Sequence, residues 1–208
     1  MKTYNMYLKI ASVSMFLAPV CLLLGDLIWL QGGLVAEGTF VRWLSYVFLV
    51  PAVIGLTHLL QGRSGTLALW AGGISLTGII GGTSILTLYR LGAVMETGPD
   101  GVPLLLQQVL FKNPLLPATI FLPGSLFPLS LIIFGIAVLR SQKYSFLPGL
   151  ALILTGPLFW VGNALDVEPV LFLNDLILLG VFAWAARQVW PTPQPEADTV
   201  QNPPVIAS

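Results

Sequence analysis

Six stretches of roughly twenty almost unbroken apolar residues follow one another along this chain, and that repetition decides what it can fold into. A helix needs about 20 mostly apolar residues to cross the hydrocarbon core of a bilayer. The runs are Leu8–Leu30, Val41–Gln61, Thr66–Tyr89, Ala118–Arg140, Ser145–Asn163 and Val170–Val189. They lack the polar–apolar alternation of a membrane barrel, and a helix pairs its own backbone groups where no water can. The expected fold is therefore all-α, a polytopic bundle of about six transmembrane helices. Composition agrees. Of the 208 residues, 56% are apolar and only 9% charged, where a soluble domain carries about 25% charged residues. Water could not be the solvent for such a surface; lipid can.

The first run follows Met1-Lys2 as a cleaved signal would, yet it is long enough to span. No small-x-small site closes it, since Gly25-Asp26-Leu27 stands there instead, so a retained first helix is expected. Most connections are too short for a soluble domain: Gly62–Gly65, Ser141–Tyr144 and Asp166–Pro169. The exception is Leu91–Pro117, the one longer outer loop. It contains the turn-forming Met95–Gly101 and then Val102–Lys112, which is too short to span and is expected as an interfacial helix or a lid folded back over the bundle. Residues 1–190 thus read as one six-helix domain. Residues 191–208, rich in proline and polar groups, read as a disordered cytoplasmic tail.

Orientation follows from Lys and Arg near the ends of the spans. With the N-terminus in the cytoplasm, Lys2, Lys9, Arg63, Arg140, Lys143 and Arg187 fall inside, against Arg42, Arg90 and Lys112 outside. Glu37, Glu96, Asp100, Asp166 and Glu168 fall outside as well. An even number of spans then places both termini in the cytoplasm, and the location expected is the cell's inner membrane, multi-pass. Trp29, Trp43, Tyr46, Tyr89 and Trp160 lie near the outer ends and Tyr7, Tyr144 and Trp190 near the inner ones, the levels where amphipathic rings settle.

Two features carry packing and chemistry. In the third run, Ala71, Ser75, Gly78 and Gly82 share one helical face, a stripe that lets backbones approach closely within the chain or between copies. Ionisable residues inside spans are costly and mark sites by default. Asp26 stands about 17 residues beyond Lys9, or ~25 Å along the helix axis, and Asp175 about five residues, ~8 Å, into the last run as it enters from outside. The two acids come to similar height, with Asn163, Asn174 and Arg90 near that level. Two readings of this polar cluster stand side by side: Arg90 pairs with an acid and the network locks the helices, or the cluster opens outward and binds a polar ligand or a proton.

A fainter feature is an internal echo, Ile74–Gly78 (ISLTG) against Leu152–Gly156 (LILTG), which a duplicated helical hairpin would leave. Other signals are sparse. Cys21 is the single cysteine, so no disulfide or paired-cysteine metal site arises. His58, the single histidine, lies near an inner helix end, and no metal or cofactor is implied. No nucleotide-binding glycine loop, zinc-protease motif or serine nucleophile motif occurs, which argues against an enzyme. With 9 basic and 9 acidic residues the net charge is zero, which points away from nucleic acid. The expected partners are membrane lipid and either other membrane-protein subunits or a second copy of the chain. The function expected is a non-catalytic accessory or scaffold subunit; the alternative is a small transporter, or a binder of a small or lipidic ligand, acting through the outer polar cluster.

Overall fold

The computed structural model describes residues 2–30, 35–94, 115, 122–165 and 167–191. The expected tail beyond Pro191, the segment Val102–Lys112 and the span start at Ala118 lie outside the described residues. Among the described residues six long helices carry the fold: α1 (Lys2–Leu30), α2 (Val35–Leu59), α3 (Gly65–Val94), α4 (Leu126–Ser141), α5 (Phe146–Ala164) and α6 (Glu168–Val189). Six stretches are long and apolar enough to cross a membrane, and the chain is an all-α, multi-pass membrane bundle.

Helix ends depart from the hydropathy boundaries for local reasons. α2 begins at Val35, a turn and a half before the apolar run, with Glu37 in its first turn where the helix dipole favours an acid. α3 continues through Arg90 to Val94, about one turn beyond the apolar run that ends at Tyr89. The apolar stretch Leu122–Ser141 is interrupted by a turn at Ser125, whose hydroxyl donates to Leu122 O at 2.7 Å. Pro128 then sits in the first turn of α4, where a missing N–H removes no ladder bond. Pro19, Pro51 and Pro157 lie within α1, α2 and α5.

Each helix packs on the next in sequence, and α6 returns to α1, which closes a ring; α2 also touches α6. Short loops dictate the antiparallel order, and contacts at one end confirm it. There Tyr4 meets His58 across a 2.6 Å hydrogen bond, Arg63 donates to Gln142, and Tyr144 donates to Leu59 O while its ring meets Trp184 edge-on. Phe127, Phe134, Phe182 and Met15 are the largest fully buried side chains. Since lipid supplies no hydrophobic force between helices, dispersion at close approach must hold them.

Glycine provides that approach at five seams of the ring. Gly55 meets Ala11 and Met15 between α1 and α2, and Gly72 meets Thr57 between α2 and α3. Gly78 lies against the Phe127 backbone between α3 and α4, Gly135 against Gly149 between α4 and α5, and Gly162 against Leu171 between α5 and α6. Among the described glycines none makes such a contact at the α1–α6 seam. What that seam holds instead is the polar site.

Candidate functional site

Asp26 in α1 and Asp175 in α6 are 7% and 3% exposed, and their carboxyl groups lie within hydrogen-bonding reach of each other. The two acids thus face each other across the antiparallel α1 and α6. The neighbouring Asn174, fully buried, donates through Nδ2 to Asp175 Oδ1 at 3.4 Å. The cation facing them comes from α2: Arg42 Nε stands 2.6 Å from Asp26 Oδ1, its side chain 13% exposed. Tyr46, one turn further along α2 and buried, lies within electrostatic reach of all three charged groups.

Local sequence explains the geometry. The early start of α2 places Arg42 about two turns into the helix rather than at its first residues, and Ser45 Oγ donates to its carbonyl at 2.5 Å. Gly25 stands beside Asp26, and a Cβ there would collide with Arg42 Cγ; the missing side chain is the gap through which the guanidinium reaches the acid. Gly82 of α3 does the same for Tyr46, whose ring lies against it and 6.2 Å from that of Phe127. Tyr46 therefore packs inside the bundle near the end of its span.

Other expected members are placed differently. Asn163 is exposed and bonds to Phe159 O of its own helix. The side chain of Arg90 lies outside the described residues. Sequence reading left Arg42 out of the cluster because it stands at the edge of an apolar run, where a loop arginine would also stand. The stripe Ala71, Ser75, Gly78 and Gly82 is buried within the chain, toward α2 and α4.

Among the described residues, acids outnumber cations and acceptors outnumber donors at this site. Two carboxyls face one guanidinium among the described residues, in a setting where an uncompensated charge is expensive. Asp26 Oδ2, Asp175 Oδ2 and Asn174 Oδ1 are buried acceptors that receive no donated hydrogen bond there. Buried polar atoms without partners call for a specific explanation. The chain matches no protein-family model, no curated protein and no solved structure.

Proposed function

We propose that this membrane protein takes up a proton at the Asp26–Asp175 pair and belongs functionally with small cation transporters. The observation that carries this is the pair itself: two buried carboxyls in mutual reach, with acceptors that receive no donated hydrogen bond and one arginine beside them among the described residues. Carboxyls already in hydrogen-bonding reach leave the space of a proton between them, and that proton would supply a missing donor. Its place in the ring supports turnover. The acids lie on the α1–α6 seam, where no described glycine interlocks the two helices, so their closest approach there rests on side chains rather than on backbone contact. The basic residues gathered at the termini end fit an orientation with both termini in the cytoplasm, which puts the pair toward the outer face.

Liposomes carrying the purified protein and an entrapped pH-sensitive dye test this under an imposed proton gradient. The wild type should dissipate the gradient faster than empty liposomes. Asp175→Asn, which keeps the Asp26–Arg42 ion pair, should melt at or above the wild-type temperature yet behave like empty liposomes. Equal rates for wild type and empty liposomes would sink the proposal, as would full activity in Asp175→Asn.

One observation favours the accessory-subunit reading as a second function. α3 turns Gly73, Thr77, Ser84 and Thr87 outward, and a Cβ on Gly73 would meet nothing within 4 Å. Small residues on an outer face suit close packing against another transmembrane helix. Native mass spectrometry from mild detergent tests it: a fixed-stoichiometry complex supports the reading, and a monodisperse monomer removes it.

A further inference from the structure

At the termini end the same α1–α6 seam opens into a groove of about 510 Å³. Val13, Phe16, Leu17 and Trp190 form its apolar walls, and Ser12 and Arg187 also line it. Val13, Phe16 and Trp190 are about half exposed, at 47%, 51% and 50%. Ser12 is 3% exposed, and its hydroxyl has no hydrogen-bond partner among the described residues. Arg187 is exposed in the last turn of α6, with no acid paired to it among the described residues. Lys9 is exposed on the face of α1 that carries Ser12, Val13 and Phe16, at i+3, i+4 and i+7 spacing, about one turn nearer the terminus.

We propose that this groove is a binding site for one anionic phospholipid. An acyl chain lies along Val13, Phe16 and Leu17, the phosphate meets Arg187 and Lys9, and the Ser12 hydroxyl donates to an ester carbonyl of the glycerol backbone. Three observations point to this occupant rather than to a second helix. The walls are mostly apolar, as a chain in hydrocarbon requires, with Arg187 on the lining and Lys9 exposed about one turn nearer the terminus on α1. Trp190 lies beside Arg187, at the level where tryptophan borders headgroups. The buried hydroxyl needs an acceptor that a hydrocarbon tail lacks and an ester supplies. The site is independent of the acid pair, which lies at the far end of the same seam; an occupying lipid would brace the helices where glycine does not.

The test is native mass spectrometry of the full chain after equilibration in micelles containing equal phosphatidylglycerol and phosphatidylcholine. The wild type should retain one phosphatidylglycerol in preference to phosphatidylcholine. A basic residue near a membrane surface contributes about 1 kcal/mol to anionic-lipid attraction, so Arg187→Gln and Lys9→Gln should each lower that preference about fivefold. Arg140→Gln removes an exposed cation from α4, away from the seam, and should leave the preference unchanged. Equal retention of the two lipids by the wild type overturns the proposal. So does an Arg140→Gln effect as large as that of Arg187→Gln, because diffuse attraction to the basic end would then suffice.

Discussion

Arg42 is the residue on which the site's electrostatics turn. It bridges to Asp26 through the gap left by Gly25, and replacing it would leave a buried carboxylate without its described cation. Breaking a buried ion pair from one side costs about 3–5 kcal/mol. Arg42→Gln should therefore lower the melting temperature sharply, and adding Asp26→Asn should restore part of the loss by removing the stranded charge. Calorimetry of the reconstituted protein checks both; an Arg42→Gln variant as stable as wild type would show that the bridge contributes nothing. The acids were legible in the sequence because an aspartate within an apolar run has few innocent explanations. Arg42 was not, since only the helix start at Val35 turns an edge residue inward. That Tyr46 joins the site was not legible either, because the Gly82 contact that draws its ring into the bundle joins residues far apart in sequence.

α3 shows what an element can do with two faces. Gly78 has the Phe127 backbone against it, whereas Gly73 on the outer face has open space. Forcing extra methylenes into packed structure costs about 1–3 kcal/mol, and more where backbone rather than a flexible side chain must yield. Gly78→Leu should unfold or strongly destabilise the bundle. Gly73→Leu should leave the melting temperature of the single chain almost unchanged, within about 0.5 kcal/mol in stability. The same variant should break any larger assembly seen by native mass spectrometry. If Gly73→Leu were the more damaging of the two, the assignment of faces would be inverted. Helix existence was legible because each run spans the bilayer by length alone. Helix ends were not, since hydropathy does not register the acid that opens α2 or the turn at Ser125 that delays α4.

At the scale of the whole molecule, short loops foretold which helices are neighbours, and the matched heights of Asp26 and Asp175 hinted that the first and last helices meet. The ISLTG and LILTG segments lie in α3 and α5, and their glycines, Gly78 and Gly156, both pack against α4. Nothing in the sequence announced that the closing seam alone would lack a described glycine contact, because that depends on how all six helices are rotated about their axes. Closure of the ring by a polar pair is the claim on which the proposed function stands. A double-mutant cycle on Asp26→Asn and Asp175→Asn, read as unfolding free energy in detergent, tests it most directly. Distant sites add within about 0.3–0.5 kcal/mol, while residues in one network couple by roughly 0.5–3 kcal/mol. A coupling above about 0.5 kcal/mol is predicted, because neutralising either acid relieves the repulsion that the other feels. Strict additivity would mean that the two carboxyls never meet, and would contradict both the seam and the site.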